Sequence, residues 1–350
     1  MNGVTTSDIL FERRGAAGIV TLNRPQALNA VTHAMVLALA ERLAAWRDDP
    51  AVTRVVITAA GERAFSAGGD IRALYELGIA GRHEQMLDFW RDEYPLNAAI
   101  KNYPKPYVAL VDGLVMGGGF GVSLHGSHRV AGDRFRFAMP EVGIGFFPDV
   151  GATYLLPRLP GEIGTYIALT GERLNADEAV TFGLATHRVA SARMPELLAA
   201  LAGDAAVDAV LADFAAPAGE APLAMRRAAI DRLFASDRVE DIVAALESEA
   251  APAWATAIAA IIRTKSPLSL KIALAQMRLG RNLTFAACMR TEFRIVSRIV
   301  HGSDFYEGVR AVIIDKDNAP RWRPDTLAAV SDTEVERHFA ALGDGELVLP

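Results

Sequence analysis

Three glycine clusters constrain this chain more than any other feature, and two of them follow strand-like runs. They read "AFSAGGDI" (Ala64–Ile71), "GLVMGGGFG" (Gly113–Gly121) and "VGIGFFPDVG" (Val142–Gly151). Glycine lets a backbone turn sharply and lets another group approach the peptide N–H closely. Gly117–Gly119 lies where a buried strand hands over to a helix. N–H groups at a helix start have no partner within the helix, and such donors can hold an oxyanion. Tight packing or simple turn formation is the competing reading for any one cluster.

Around the clusters, strand-like and helix-like segments alternate. Gly18–Leu22, Val52–Ala59 and Tyr107–Val111 read as strands, followed by short strands at His128–Ala131 and Phe135–Ala138. Thr32–Trp46 reads as a helix capped by Thr32, and a further helix is expected from Gly118 through Leu124. This order predicts an α/β fold. Beyond Gly161 helices dominate. Ser191–Gly219 is alanine-rich, Phe214–Pro222 reads as a loop, and Gln276–Ile299 has helical periodicity with Arg and Glu on its expected polar face.

Composition removes several classes. The chain has 350 residues, of which 51% are apolar, so a sizeable core can form. Net charge is −6 with no basic block, which predicts no nucleic-acid partner and no membrane surface. A single cysteine, Cys288, rules out an internal disulfide framework and suits a reducing compartment. No apolar h-region opens the chain and no uncharged run could span a bilayer, so a cytoplasmic protein is the expectation.

Familiar nucleotide motifs are missing. No G-x-G-x-x-G fits the clusters and no G-x-x-x-x-G-K-[ST] occurs. "GVSLH" puts His125 where a nucleophile elbow needs glycine, which leaves Ser123 and Ser66 as poor nucleophiles. His125 and His128 lack a third ligand nearby, so no metal site is expected.

The acids are more informative. Glu141 and Asp149 each follow a proline within an apolar, glycine-rich run. A carboxylate there has difficulty ionising, which suits a general base or a carboxylate nucleophile. The plainer alternatives are a cap acceptor for Glu141 and an N-cap near Val150 for Asp149. Glu93, in "FWRDEYPLN", reads by itself as a surface helix acid.

Together with "LNRPQALNAV" (Leu22–Val31), the clusters stand in the order and spacing of the enoyl-CoA hydratase/isomerase (crotonase) superfamily, which this chain resembles. The similarity continues through Leu169–Val189. The segments Lys265–Leu274 and His301–Trp322 resemble the 3-hydroxyisobutyryl-CoA hydrolase branch in particular.

The resemblance implies a crotonase-like spiral of β-β-α units with a helical C-terminal region. Residues 1–190 would form the core with the CoA thioester site, and residues 191–350 would complete the fold and contribute to the pocket or an oligomer interface. The substrate would be a small-molecule acyl-CoA, with coenzyme A part of the substrate and no separate cofactor. A homo-oligomer of the trimer or hexamer-of-trimers type also follows from the likeness. Gly69 and Gly118 would supply the two N–H groups around the thioester carbonyl. Asn29, Ala30, Ala67, Gly68, Asp70, Ile71, Arg72 and Gly117 would line the substrate path, and Arg24 and Arg72 are candidate phosphate contacts.

Hydratases of the superfamily use two glutamates. One position falls at Glu141 and the other at Gly121, which has no side chain. The hydrolase branch carries acids at Glu93, Glu141 and Asp149, all present here. The implied reaction is therefore hydrolysis of a short β-hydroxyacyl-CoA, as in valine catabolism, through either an anhydride on Glu141 or a water activated by it. An enoyl-CoA hydratase or isomerase, a non-catalytic acyl-CoA binder and a separable helical module are the rival readings.

Overall fold

The structure is a computed structural model that describes residues 7–349; the expectation about the chain's opening residues falls partly outside that range. Its strands are β1 (Ile9–Arg14), β2 (Ala17–Leu22), β3 (Arg54–Ala59), β4 (Ala64–Ser66), β5 (Tyr107–Val111), β6 (Leu114–Met116), β7 (His128–Ala131), β8 (Arg136–Ala138), β9 (Leu174–Asn175) and β10 (His187–Arg188). The larger sheet has the order β1-β2-β3-β5-β7-β10 and the smaller β4-β6-β8-β9.

Three times the chain leaves a strand of the larger sheet and enters one of the smaller: β3 to β4, β5 to β6, and β7 to β8. Helices follow, including α1 (His33–Asp48) after β2, then α2 (Ile71–Ile79) and α3 (His83–Lys101), α4 (Gly118–Gly121) and α5 (Ala152–Leu155). This is the expected spiral of β-β-α units.

β-branched and aromatic residues form the strands, and their alternation sets two cores. Val20, Val55, Ile57, Tyr107, Ala109 and Val111 face the large core. Their neighbours Ile19, Val56, Val108, Leu110 and Val130 face a smaller one, capped by Leu197, Leu201, Leu211 and Phe214. β5 is buried on both faces, as parallel sheets covered by helices require. The large core runs from Ile9 to Leu347, so the C-terminal helices share it with the spiral. No helix among the described residues is long and apolar enough to cross a membrane.

Thr32 caps α1 as expected, accepting from the Met35 N–H at 3.3 Å. Two expected helices differ. α4 ends at Gly121 rather than Leu124. Gln276–Ile299 is split into Pro267–Gly280 and Phe285–Ile299, because Thr284 caps a new start by accepting from Ala287 N at 3.2 Å. β1, α2 and α3 were not legible beforehand. α3 runs through Pro95, a residue that ordinarily marks a helix boundary.

Close contact between the first two glycine loops packs the neighbouring strands β4 and β6 of the smaller sheet against each other at one end. A methyl group at Gly119 would lie 2.6 Å from Ser66 Cβ and 2.9 Å from the Ser66 carbonyl oxygen. Gly119→Ala is therefore expected to cost about 1–3 kcal/mol, read as a fall in Tm by calorimetry.

Candidate active site

The segment Leu22–Val31 is a bracket for the first glycine loop. Leu28 O accepts from Ala67 N at 2.9 Å, Val31 N donates to Gly68 O at 2.8 Å, and Val31 O accepts from Asp70 N at 2.9 Å. This bridge leaves the Gly69 N–H out of the pairing. Gly68 sits at φ 106, which glycine tolerates without strain. In the second loop Gly117 has φ 41, and Gly118 is the first residue of α4, so its N–H has no intrahelical acceptor. A Cβ on Gly118 would lie 3.1 Å from Gly69 N. The two expected donors are thus side by side.

They open on a cavity of about 430 Å³. Ala67, Gly68, Gly69, Ile71, Glu93, Gly117, Gly118, Glu141 and Asp149 all line it. Asn29, Ala30, Asp70 and Arg72 do not. Asn29 is buried beneath the loop, donating to Ala60 O and Ala64 O and accepting from Arg24 N. Ala30 O and the Asp70 carboxylate hold the Arg24 guanidinium, which is therefore occupied internally. Asp70 also caps α2. Arg72 donates to Ile313 O at 3.1 Å.

Three acids line this cavity, and two of them reach the glycine loop. A methyl at Gly117 would stand 3.2 Å from Glu141 Oε1, and one at Gly118 would stand 2.7 Å from Glu93 Oε1. Glu93 is only 1% exposed, which displaces its reading as a surface acid. Glu141 makes no side-chain cap, and the helix after Asp149 is capped by Gly151 instead, so neither acid is a capping residue. Glu93 Oε1 and Glu141 Oε2 are buried without a hydrogen-bond partner. Burial, then the Asp149 charge, pushes both carboxyls well above their usual range. Asp149 Oδ2 accepts from the Tyr94 hydroxyl at 2.9 Å. Burial pushes Asp149 up to about 7, against hydrogen bonds from Tyr94 and Trp90 that favour its anion.

The space at Gly121 is closed. A Cβ there would lie 2.7 Å from Asn97 Nδ2, 2.9 Å from Val150 Cβ and 3.1 Å from Asn97 Oδ1. Asn97 is fully buried and fills the position from which a second glutamate would have to extend.

Sequence reasoning missed several of these residues. Trp90, Tyr94 and Asn97 share with Glu93, which the resemblance already named, one face of α3 at helical spacing, a pattern hidden by Pro95. Lys265 lines the cavity, with its ammonium pushed below the normal range by burial. Glu292, expected on a polar face, is fully buried and accepts from Gly151 N at 2.8 Å and Thr153 N at 2.9 Å. Neither carries a signal in its own neighbourhood of sequence.

His125 and His128 part company. His125 bonds Val150 O at 2.6 Å, and His128 bonds Asp208 at 2.9 Å. Among the described residues no three His, Cys, Asp or Glu side chains are grouped to hold a metal ion.

Two glycine-loop donors facing buried carboxylates across an apolar cavity suit an enzyme acting on an activated acyl group. Comparison with known proteins gives the same class. The family described as Enoyl-CoA hydratase/isomerase matches residues 17–339. The chain belongs to that family and is an acyl-CoA enzyme with the α/β crotonase fold. It is 44% identical to a Danio rerio protein named "3-hydroxyisobutyryl-CoA hydrolase, mitochondrial", over 100% of this chain and 94% of the relative. The Rattus norvegicus protein of that name is 43% identical over 98% and 91%. Among solved structures, a carnitinyl-CoA dehydratase from Mycobacterium thermoresistibile superposes with a TM-score of 0.93 at 45% identity, covering 98% of this chain and 99% of the other. An enoyl-CoA hydratase from Rhodobacter sphaeroides 2.4.1 superposes at 0.92 with 42% identity, covering 98% and 100%.

Buried acids predict a pH-dependent stability. Asp149 has an ordinary value of 3.8 and a folded value of about 7. The folded state favours its protonated form, so this contribution is complete below about pH 4 and is lost as pH rises through 7. Asp149→Asn is expected to leave Tm little changed at pH 4 and to raise it at pH 8, by up to about 4 kcal/mol in stability. Calorimetry of both proteins at the two pH values checks this.

Proposed function

We propose that this protein hydrolyses a short-chain β-hydroxyacyl-CoA thioester, with 3-hydroxyisobutyryl-CoA as the substrate and 3-hydroxyisobutyrate and coenzyme A as products. The carrying observation is the closed space at Gly121 beside three retained acids. A syn addition of water needs a second acid that this position cannot supply, whereas Glu93 and Glu141 reach the glycine loop and Asp149 lines the same cavity. The names of the Danio rerio and Rattus norvegicus relatives support the same substrate.

In this reading the thioester oxygen lies between the Gly69 and Gly118 N–H groups. Those donors stabilise the tetrahedral oxyanion, each contributing roughly 3–4 kcal/mol. Glu141 acts in its anionic form. In one route its oxygen attacks the carbonyl carbon and the C–S bond breaks, giving CoA thiolate and a mixed anhydride that water then cleaves. In the other, Glu141 takes a proton from water, which attacks directly. Either way one water is consumed, and the thiolate leaves with little need of protonation. Asp149, with Oδ2 held by Tyr94, accepts a hydrogen bond from the substrate 3-hydroxyl. Glu93 helps orient this arrangement from α3.

Hydration of an enoyl-CoA is the second reading, favoured by the two solved structures with hydratase and dehydratase names. Thiol release and loss of enone absorbance separate the two. Purified protein is expected to release thiol from 3-hydroxyisobutyryl-CoA and to leave crotonyl-CoA unchanged. Glu141→Gln should lower thiol release by roughly a thousandfold or more. Asp149→Asn should reduce the preference for 3-hydroxyisobutyryl-CoA over isobutyryl-CoA by roughly 10- to 100-fold. Consumption of crotonyl-CoA without thiol release would assign the protein to the hydratases.

A second expectation concerns pH. Glu141 works ionised but is held above the usual carboxylate range by burial, then by Asp149. The rate should therefore rise with pH along an acid limb lying well above 4.5, the ordinary glutamate value. A kcat/KM profile already flat at pH 5 would contradict this.

A further inference from the structure

The turn that presents Asp149 is conformationally unfavourable. Val150 is β-branched yet sits at φ 53, and Gly151 follows at φ 91. Left-handed geometry is disfavoured for a side chain like valine, so something outside the turn must hold it. Three distant side chains do. Glu292, on the helix Phe285–Ile299, accepts from Gly151 N at 2.8 Å through one oxygen and from Thr153 N at 2.9 Å through the other. Gln276, on Pro267–Gly280, donates to Pro148 O at 3.0 Å and to Thr153 Oγ1 at 2.8 Å. His125 meets Val150 O at 2.6 Å, and since a carbonyl only accepts, Nε2 carries the proton.

We infer that Glu292 is a positioning residue for Asp149: its carboxylate clamps the left-handed Val150–Gly151 turn and so fixes selection of the substrate hydroxyl. This rests on the role proposed above for Asp149. Glu292 does not line the cavity, and both of its oxygens are committed to backbone N–H groups. Glutamine cannot reproduce that pattern, because its NH₂ would face one of the two N–H donors. Burial, then the Asp149 charge, pushes the Glu292 carboxyl up to about 8, against the bonds from Gly151 and Thr153 that favour its anion. Glu93 and Tyr94 on α3, Glu141 on the neighbouring turn and Glu292 all face Asp149, with Lys265 on the cavity wall and Cys288 one turn before Glu292. When ionised, Glu292 adds to the upward push on Glu93 and Tyr94.

The test compares wild type, Glu292→Gln and Glu292→Asp, assayed by thiol release from 3-hydroxyisobutyryl-CoA and from isobutyryl-CoA, which lacks the hydroxyl. For Glu292→Gln, kcat/KM is expected to fall roughly 10- to 100-fold for the hydroxylated substrate and less than about threefold for the other. Glu292→Asp keeps a carboxylate that only accepts but shortens the reach, so it should show a smaller selective loss. It also serves as the test if the glutamine variant does not fold. Parallel losses for both substrates, or no loss, would overturn the inference and leave Glu292 a stabilising contact only. Wild type that releases no thiol from either substrate would instead overturn the proposed reaction.

Discussion

The absence of a Cβ at Gly117, Gly118, Gly119 and Gly121 is the constraint on which this site depends. Each missing methyl marks a close approach: Glu141 at Gly117, Glu93 at Gly118, Ser66 at Gly119 and Asn97 at Gly121. Any larger residue would push apart the groups that must converge. With the strip bare, two carboxylates reach the main chain where the Gly69 and Gly118 N–H groups lie side by side. Close packing also excludes water, which is why burial is the leading cause of the raised Glu93, Glu141 and Asp149 carboxyls.

Such a cluster opposes folding. Buried carboxyl oxygens without partners are costly, and Glu93 and Glu141 each keep one. The surrounding core offsets this, and much of it comes from beyond Gly161. Gln276 and Glu292 hold the Asp149 turn from two C-terminal helices, while Lys265 and Ile313 close the cavity wall. A helical module riding on an inert spiral does not describe this arrangement, because those helices supply the clamp on Asp149 that the spiral lacks.

The strands and glycine loops were legible because their signals are local, whereas the spiral itself came from the resemblance. β-branched runs gave Tyr107–Val111 and His128–Ala131 with the observed bounds, and Thr32 marked the start of α1. The glycine clusters marked both loops, since a positive φ at Gly68 and Gly117 is a backbone demand that sequence exposes directly. Other parts depend on tertiary contact. Pro95 inside α3 masked a continuous face carrying Trp90, Glu93, Tyr94 and Asn97. Glu292 looked like an ordinary polar-face acid because its partners, Gly151 and Thr153, lie far away in the chain. Val150 gives no warning of its left-handed backbone, because the helices that impose it are equally remote.

The closed space at Gly121 bears on chemistry as well as shape. Adding water across a carbon–carbon double bond requires a base to activate water and an acid to protonate the α-carbon. Proton transfer to an enolate carbon is slow without a positioned donor, so hydration relies on that second group. Cleaving a thioester makes a different demand. The thiolate leaves readily as an anion, and the charge to be stabilised builds on the carbonyl oxygen, where backbone N–H groups act without any proton transfer. One working carboxylate therefore suffices, and the position at 121 can be given up. Asn97 and Val150 occupy it, and the turn through Val150 instead brings Asp149 to the cavity. In the proposed reading, the glycine that leaves one proton donor missing also leaves room for the turn that would bring Asp149 to the acyl chain.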